Sequence, residues 1–320
     1  MVAIITGITG QDGAYLAKLL LNKKYSVIGI TRSYGNSNVF NLKYLRIDRD
    51  VKLEECDLSD ISSIIKLLKK YKPEEIYNLS AQSSVGLSFE QPIGTIHYNV
   101  ISVINLLESI RILELNTKFY QASSSEMFGR VENLPITLKT PLHPLSPYAI
   151  SKATAYWAAI SYRESYGLFV SNGILFNHES FLRSSNFFVK KVILESLRIK
   201  KGVQSFLKVG NIDIKRDFGY APQYTEAMFL ALQKENPGDY LICSGESISL
   251  RSIVYYVFEK LGISKNAILE DPKLFRPNEI EDIYGDNRNS IEQLGWNYNY
   301  SFFEVLDMLI DEELKYLELI

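Results

Sequence analysis

Short apolar runs alternate with longer stretches of helical periodicity through the first half of the chain. The runs predict strands at residues 2–5, 26–30, 75–79 and 118–122. Apolar positions spaced three and four apart predict helices at 13–22, 61–71 and 95–112. Strands that alternate with helices in this way are typical of an α/β fold built on a doubly wound parallel sheet.

The alternation becomes irregular beyond residue 180. Residues 148–166 predict a long helix opened by Ser146 and Pro147, and residues 169–175 predict the next strand. Further helices are predicted at 186–200, 225–233, 250–261 and 302–317, with short strands between them. We therefore expect a sheet lobe at residues 1–175 and a smaller lobe at 176–320, with the chain crossing back to the sheet.

The composition excludes several classes of protein. Of 320 residues, 46% are hydrophobic and 22% charged, which suffices for a substantial core. The formal net charge of −2 favours neither nucleic acid nor an anionic membrane, and no apolar run approaches the roughly 20 residues of a spanning helix. Cys56 and Cys243 predict no disulfide framework, and the N-terminus lacks a signal-peptide pattern, so a cytoplasmic location is expected.

A glycine-rich segment at residues 6–13 lies between the first predicted strand and the first predicted helix. Gly7 permits a tight turn, Gly10 lets the backbone approach a pyrophosphate, and Gly13 brings the helix against the sheet. The segment predicts a dinucleotide site in a Rossmann-type sheet, with the smaller C-terminal lobe binding the substrate. A structural turn without a ligand is the alternative.

The end of the second predicted strand bears on the choice of dinucleotide. Thr31 stands where NAD-dependent enzymes place an acidic residue for the adenosine ribose, and Arg32 follows it. A cation there can pair with a 2′-phosphate, which favours NADP and leaves NAD possible. An ordinary solvated arginine is the alternative. Asp57 and Leu58 follow a third strand pattern, where such folds hold the adenine.

Tyr148 and Lys152 are four residues apart and therefore lie on one face of the predicted helix. A lysine charge and an oxidised nicotinamide together stabilise a phenolate, so Tyr148 can accept a carbinol proton as hydride leaves. The spacing alone occurs by chance in many helices. Here it follows both the glycine-rich turn and a serine-rich strand end at residues 123–125, which makes the catalytic interpretation strong.

Ser124 and Glu126 lie at that strand end. We expect Ser124 to hydrogen-bond a substrate hydroxyl and Glu126 to place a carboxylate near the same sugar ring, which would convert an oxidation site into an elimination site. A capping acid on a turn is the alternative for Glu126.

The histidines His97, His143 and His178 are scattered and predict no metal site, and no Gly-x-Ser-x-Gly elbow supports a hydrolase.

Longer runs resemble the extended short-chain dehydrogenase/reductase family and, within it, the GDP-mannose 4,6-dehydratase family. The matching runs are Ile-Thr-Gly-Ile-Thr-Gly-Gln-Asp-Gly at 5–13, Tyr-Asn-Leu-Ser-Ala-Gln-Ser at 77–83, Tyr-Gln-Ala-Ser-Ser-Ser-Glu at 120–126, Ser-Pro-Tyr-Ala at 146–149 and Asn-Gly-Ile-Leu-Phe-Asn-His-Glu-Ser at 172–180. Similar residues continue at 207–211, 216–219 and 276–279. The Gln-Asp pair after Gly10 and the end of the 172–180 run are the most specific to the subgroup.

The resemblance implies a complete set of site residues. The catalytic residues would be Ser124, Glu126, Tyr148 and Lys152, with Ser124 where the family usually has threonine. The cofactor would be held by Gly7, Thr9, Gly10, Gln11, Asp12, Gly13, Arg32, Asp57, Leu58, Leu79, Ala81, Tyr148, Lys152 and His178. The substrate would be held by Ser83, by Asn177 at the diphosphate, by Lys191 and Arg216 at its charged groups, and by Arg276 and Glu279 at the diphosphate and the nucleoside end.

The implied reaction is dehydration of a GDP-sugar, with GDP-mannose as the main candidate and another such as GDP-heptose as an alternative. A nucleotide-sugar C4 dehydrogenase or epimerase and a cofactor-sensing protein without turnover are further alternatives. The family has a second arginine and a longer loop where residues 33–36 follow Arg32, so both a homodimer and a homotetramer stay open. Residues 181–186 also depart from the family, which bears on the choice of sugar.

Overall fold

A computed structural model describes residues 1–33, 38–275 and 278–319. The strands are β1 (Val2–Thr6), β2 (Ser26–Thr31), β3 (Lys52–Glu55), β4 (Glu75–Asn78), β5 (Lys118–Ser124), β6 (Val170–Leu175), β7 (Asn177–Glu179), β8 (Leu207–Val209), β9 (Lys215–Arg216), β10 (Phe218–Tyr220), β11 (Asp239–Ile242), β12 (Ile248–Ser249) and β13 (Ile268–Glu270). The helices are α1 (Gln11–Asn22), α2 (Phe40–Tyr44), α3 (Ile61–Tyr71), α4 (Val85–Glu90), α5 (Pro92–Ile112), α6 (Pro147–Tyr166), α7 (Phe188–Lys200), α8 (Ala221–Leu232), α9 (Leu250–Leu261), α10 (Arg288–Leu294) and α11 (Phe302–Leu319). Short 3-10 helices lie at Ser125–Met127, Lys265–Ala267 and Pro272–Leu274.

Among the described residues, seven parallel strands form the central sheet in the order β11-β6-β5-β4-β1-β2-β3. Ile4 of β1 pairs with Ile28 of β2 on one side and with Ile76 of β4 on the other. The strand order reverses between β1 and β4, and the crevice at the carboxyl ends of such strands is the usual ligand site of an open parallel sheet. The prediction of a doubly wound α/β fold is confirmed.

Helices cover both faces of this sheet because successive residues of a strand point to opposite sides. Ile5 packs in a cluster with Leu16 of α1 and with α8, whereas its neighbour Ile4 packs in a cluster with Leu67 of α3 and Leu106 of α5. All five side chains are buried. Burial on both faces explains why residues 2–5 of β1 are all apolar rather than alternating.

The second half of the chain contributes both to the central sheet and to a separate core. β11 pairs with β6 at the edge of the central sheet, and α8 packs against α1. A separate core joins α7, α9 and α11 through residues such as Val192, Val257 and Leu306. No helix in the described part of the chain combines the length and the apolar character needed to cross a bilayer.

The ends of α6 follow from local sequence. Ser146 Oγ accepts a hydrogen bond from the backbone N of Ala149 at 3.1 Å, and Pro147 takes the first helical position, where its missing N–H costs nothing. Gly167 ends the helix in the left-handed conformation with φ of 67°. α6 packs on α5 and β5 and so carries its first turn to the carboxyl edge of the sheet.

Periodicity does not predict the shortest helices. One or two turns at α2, α4 and α10 give too few apolar repeats to distinguish them from loops. The start of α8 at Ala221 also precedes the predicted start at residue 225, because Pro222 lies in the first turn, where a helix tolerates it.

Candidate active site

The glycine-rich turn leaves open backbone at the carboxyl end of β1. Gly7 has φ of 68°, which strains any L side chain, and the backbone N of Gly10 donates to the carbonyl oxygen of Gly7 at 3.0 Å. A Cβ at position 13 would lie 2.3 Å from that same oxygen, so α1 reaches the turn only because Gly13 has no side chain. No described side chain caps the N-terminus of α1. These are the features expected of a site for a dinucleotide pyrophosphate.

The two runs most specific to the family resemblance contact each other. His178 Nε2 lies 2.9 and 3.0 Å from the carboxylate oxygens of Asp12, and Nδ1 lies 2.7 Å from the carbonyl oxygen of Phe176. Both ring nitrogens therefore face acceptors, an arrangement that favours the imidazolium form. Ser180 Oγ donates to Gln11 Oε1 at 2.7 Å, and Gln11 Nε2 donates to the carbonyl oxygen of His178 at 3.1 Å. These bonds join β7 to the first turn of α1.

The charges of this pair reinforce each other. Burial acts to raise the pKa of Asp12, but the charge and the hydrogen bond of His178 outweigh it and hold that pKa below its ordinary value. Burial acts to lower the pKa of His178, but the charge and the hydrogen bond of Asp12 outweigh it and raise that pKa. The two residues therefore form an ion pair at the wall of the site.

An outer cleft opens where β1, β2 and α5 meet, and it includes residues expected to hold the cofactor. Its lining includes Gly7, Thr9, Thr31, Arg32, Leu58, Ala81 and Tyr98. The Arg32 guanidinium lies 5.3 Å from the centroid of the Tyr98 ring. Residues 34–36, where the chain departs from the family, lie outside the described residues.

Asp57 shapes this outer cleft through a turn. Its carboxylate accepts hydrogen bonds from the backbone N and the hydroxyl of Ser59 at 2.9 and 2.7 Å, and these bonds lower the pKa of Asp57. The neighbouring residues Cys56 and Leu58 line the cleft, whereas Asp57 is not among its described lining residues. The Asp57 carboxylate therefore stabilises the turn at residues 57–59, which places its neighbours at the cleft.

An inner cleft adjoins the outer one at Ala81, which lines both. It brings together all the residues predicted to be catalytic, Ser124, Glu126, Tyr148 and Lys152, and Asp12, Leu79 and His178 also line it. Ser124 is the last residue of β5, Glu126 lies in the 3-10 helix that follows, and Tyr148 and Lys152 lie in the first turns of α6. The backbone N of Glu126 donates to Ser124 Oγ at 3.3 Å.

Burial dominates the electrostatics of the tyrosine and the lysine, which are 8% and 6% exposed. Burial raises the pKa of Tyr148 to about 12, although a hydrogen bond with Ser124 opposes it, and burial lowers the pKa of Lys152 to about 8. Lys152 Nζ donates to the carbonyl oxygen of Ala122 at 2.8 Å and lies 5.9 Å from the centroid of the Tyr148 ring. The charge of Lys152 therefore does not offset the burial of Tyr148, and the expected phenolate requires a further positive charge in the cleft.

Three of the residues expected to hold the substrate line the inner cleft, namely Ser83, Asn177 and Arg216. Arg216 is buried and donates from Nη1 to the carbonyl oxygens of Lys215 and Ile280 at 2.7 and 2.6 Å. These bonds fix the guanidinium at the boundary of the smaller lobe.

Two further residues expected to hold the substrate lie outside this cleft. Lys191 and Glu279 are not among the described residues that line the inner cleft. Lys191 Nζ donates to the carbonyl oxygen of Lys208 at 2.8 Å, and Oε2 of Glu279 is buried without a hydrogen-bond partner in the described part of the chain. Arg276 lies outside the described residues. Within those residues no group of three or more His, Cys, Asp or Glu side chains is placed to hold a metal ion.

Arg183 is a residue of the inner cleft that sequence reasoning did not single out. Its Nε lies 3.5 Å from Oε1 of the buried Glu179, and its guanidinium lies 3.6 Å from the centroid of the Phe187 ring. Its charge also helps to lower the pKa of Asp12. The available sequence signal was an arginine within residues 181–186, directly after the 172–180 run.

Asn99 is a second such residue. Its Nδ2 donates to Ser151 Oγ at 2.9 Å and to the carbonyl oxygen of Gln82 at 3.1 Å. Ser151 Oγ in turn donates to the carbonyl oxygen of Tyr148 at 2.7 Å. Asn99 thereby fixes the first turn of α6 against the loop after β4. It is buried, but as one of several polar residues in α5 it gave no distinctive sequence signal.

Comparisons with known proteins agree with this geometry. The GDP-mannose 4,6 dehydratase family matches residues 4–309. The chain is 39% identical to the GDP-mannose 4,6-dehydratase of Sinorhizobium fredii (strain HH103), covering 99% of this chain and 97% of that protein. It is 42% identical to GDP-mannose 4,6 dehydratase 1 of Arabidopsis thaliana, covering 98% and 90%. The fold is similar to UDP-glucose 4-epimerase of Thermotoga maritima, with a TM-score of 0.89, 22% identity, and 99% and 100% covered.

A Rossmann-type sheet with a glycine-rich turn at its switch point and a tyrosine and lysine on the adjacent helix defines a short-chain dehydrogenase/reductase. Within that class, the matches over nearly the whole chain assign the family. The chain belongs to the GDP-mannose 4,6-dehydratase family.

Proposed function

We propose that the chain is a nucleotide-sugar 4,6-dehydratase that converts GDP-mannose to GDP-4-keto-6-deoxymannose and water. The observation that carries this proposal is the convergence of Ser124, Glu126, Tyr148 and Lys152 in one cleft beside the glycine-rich turn. Oxidation of a hydroxyl needs the tyrosine and the lysine, whereas loss of water needs a second base, which Glu126 supplies. The curated relatives named above as GDP-mannose 4,6-dehydratases support the choice of sugar and nucleotide.

The residues present fit a nicotinamide dinucleotide. Gly7 and Gly13 keep the turn free of side chains, the N-terminus of α1 has no described side-chain cap, and the outer and inner clefts adjoin. The residues that would hold it are Gly7, Thr9, Gly10, Gln11, Asp12, Gly13, Arg32, Leu58, Leu79, Ala81 and His178, with Asp57 acting through its turn. Bound there in its oxidised form, a nicotinamide would supply a positive charge and a group able to accept hydride from C4 of the sugar and give it back at C6.

Tyr148 accepts the proton of the C4 hydroxyl, and Ser124 orients that hydroxyl. The pKa of Tyr148, raised to about 12, means that the phenol stays protonated until the cofactor's charge joins that of Lys152. Lys152 is held at its place by the carbonyl oxygen of Ala122. Because both side chains are buried, the charge of Lys152 acts on the phenolate through a medium of low dielectric constant.

Glu126 carries out the step that distinguishes a dehydratase. Once C4 is a ketone, the hydrogen on C5 is acidic, and Glu126 removes it and passes that proton to the C6 hydroxyl, which leaves as water. When hydride is added at C6, C5 takes up the proton that Tyr148 received from the C4 hydroxyl. Its position follows from its backbone N, which donates to Ser124 Oγ at 3.3 Å and so fixes it beside the strand end. Oxidation and elimination therefore use side chains that are close in sequence and in space.

The proposal includes NADP as the preferred cofactor. Arg32 is exposed at the outer cleft, and the adjacent Thr31 provides no carboxylate for a ribose hydroxyl. A 2′-phosphate on the adenosine would pair with the guanidinium, whereas NAD offers no anion at that position.

The proposed substrate contacts divide between two regions. Ser83, Asn177 and Arg216 line the inner cleft, where Arg216 would neutralise a diphosphate. Lys191, Arg276 and Glu279 would act further out, towards the nucleoside.

We also propose that a second copy of the chain covers the outer face of α5 and α6. Ile93, Ile96, Ile150 and Trp157 are 84, 36, 43 and 57% exposed on these two packed helices. Apolar exposure across adjoining helices is typical of an association surface. Light scattering should give a dimer or tetramer for the wild type and a monomer for Trp157→Glu, and a monomeric wild type would contradict the proposal.

The free, buried Cys56 and Cys243 fit a reducing compartment such as the cytoplasm.

Product mass tests the proposed reaction. The purified protein is incubated with NADP and GDP-mannose, with GDP-heptose and UDP-glucose in parallel, and each product is weighed by mass spectrometry. We expect a product lighter by one water from GDP-mannose. Tyr148→Phe, which keeps the ring, should bind the cofactor and give no product. A product that retains its water would favour a C4 dehydrogenase or epimerase, and unchanged GDP-mannose would overturn the proposal.

A further inference from the structure

A tight turn at residues 181–183 connects two parts of the site. The backbone N of Leu182 donates to Ser180 Oγ, and the backbone N of Arg183 donates to the carbonyl oxygen of Ser180, both at 3.1 Å. Ser180 binds Gln11 beside the glycine-rich turn, and Arg183 lines the inner cleft. The orientation of this turn therefore sets both contacts together.

The C-terminal helix α11 contacts this turn through Lys190 of α7. Lys190 Nζ donates to the carbonyl oxygen of Phe181 at 2.6 Å and also bonds the carboxylate of Glu313. The side chains of Lys190 and Glu313 are only 12% and 4% exposed. The ring of Phe181 packs edge-on against Tyr316 of α11, with centroids 5.3 Å apart.

α11 reaches the glycine-rich turn by a second route through α2. The ring of Tyr44 stacks on Phe181 at a centroid distance of 4.5 Å, and its hydroxyl donates to Glu312 of α11 at 2.7 Å. From the same short helix, Asn41 Nδ2 donates to the carbonyl oxygen of Thr9 at 3.0 Å. α11 thus contacts Lys190, which binds the 181–183 turn, and Tyr44 of α2, the helix that binds the glycine-rich turn.

We propose that α11 positions the cofactor site, with Glu313 acting through Lys190 on the 181–183 turn and Glu312 acting through Tyr44 on the glycine-rich turn. A purely structural contact would not need a buried ion pair, because α11 already has an apolar core face of its own and desolvating two charges is costly. The ion pair holds a charged donor, Lys190 Nζ, against the carbonyl oxygen of Phe181. This inference rests on the proposed function, because it assumes that a nicotinamide dinucleotide binds between these walls.

The test separates positioning from stability. Replacing a buried ion pair by apolar residues of similar size often leaves stability unchanged, so Lys190→Met/Glu313→Leu should keep the thermal unfolding midpoint near that of wild type. The donor to Phe181 is nevertheless lost, and we expect the dissociation constant for NADP to rise about tenfold, within the usual range of coupling between sites. The kcat at saturating NADP should stay close to that of wild type. Asp307→Asn is the matched control, because it changes another residue of α11 and breaks an exposed ion pair with Lys260 of α9. It should leave NADP binding unchanged.

Tyr44→Phe provides an independent measurement. It removes one hydroxyl and keeps the stacked ring, so it tests the second route even if the double variant does not fold, and it too should weaken NADP binding. A dissociation constant equal to that of wild type in the folded variants would overturn the inference while leaving the proposed function intact. If the wild type binds neither NADP nor NAD in the same titration, the proposed function fails and the inference fails with it.

Discussion

The ion pair of Asp12 and His178 should make stability depend on pH in a specific direction. The raised pKa of His178 contributes stability that is complete below its ordinary value of 6.5 and is lost as pH rises through the raised value. The lowered pKa of Asp12 contributes stability that is complete above its ordinary value of 3.8 and is lost as pH falls through the lowered value. The pair therefore stabilises the protein fully only between these two ordinary values.

Asp12→Asn removes the charge and keeps the shape. Two contacts, of 2.9 and 3.0 Å, join the imidazolium to the carboxylate, and the His178 side chain is 8% exposed, so screening by water is weak. An asparagine can still accept one hydrogen bond, and His178 can release its proton. We therefore expect a loss of about 2 kcal/mol, typical of a hydrogen bond to a charged group, and less than the full cost of stranding a buried charge.

The assay is urea unfolding of wild type and Asp12→Asn across the pH range. The difference in unfolding free energy should be largest near pH 5 to 6, about the middle of the window, and should shrink as pH rises through the raised pKa of His178. His97→Gln, at an exposed histidine, is the control and should keep the wild-type pH dependence. A difference that stays constant from pH 5 to about 9 would refute the ion-pair reasoning.

Three further substitutions test the site. Glu126→Gln should preserve oxidation at C4 and block loss of water, so a single turnover should accumulate reduced nicotinamide absorbance without a lighter product; elimination at the wild-type rate would exclude Glu126 as the base. Arg32→Ala should reduce the ratio of NADP to NAD affinity about tenfold, as expected for loss of a charge-assisted pair, while Arg49→Ala should not, and equal wild-type affinity for both cofactors would contradict the assignment. The kcat/KM of the wild type should fall as pH rises through about 8, where Lys152 of the unliganded enzyme loses its charge. If the kcat/KM of a Lys152→Met variant falls over the same pH range, another group is responsible for the decrease.

Local sequence was sufficient to predict the frame of the site. β1, the glycine-rich turn and α1 follow one another directly, and each has a signal that does not depend on distant residues. The same holds for Tyr148 and Lys152, because Ser146 and Pro147 define the start of their helix. Parallel pairing then carries the end of β5 and the start of α6 to one edge of the sheet.

Long-range contacts and burial could not be predicted in this way. Sequence reasoning assigned Gln11 and His178 separately to the cofactor, but their direct contact depends on where β7 lies in the folded chain. It also expected Lys152 and an oxidised nicotinamide together to lower the pKa of Tyr148, whereas without that cofactor burial raises this pKa. The contribution of Arg183 depends on the 181–183 turn, whose supports come from α7, α2 and α11.

Deuterium transfer tests the central claim most directly. GDP-mannose carrying deuterium at C4 is converted by the wild type with unlabelled NADP, and the product is examined by mass spectrometry and by NMR. If Tyr148 assists transient oxidation at C4 and Glu126 then eliminates water, the same hydride returns to the sugar, so the 4-keto product should carry the deuterium at C6. A dehydrated product without deuterium at C6, or a sugar that keeps both its C6 hydroxyl and its C4 label, would contradict the account.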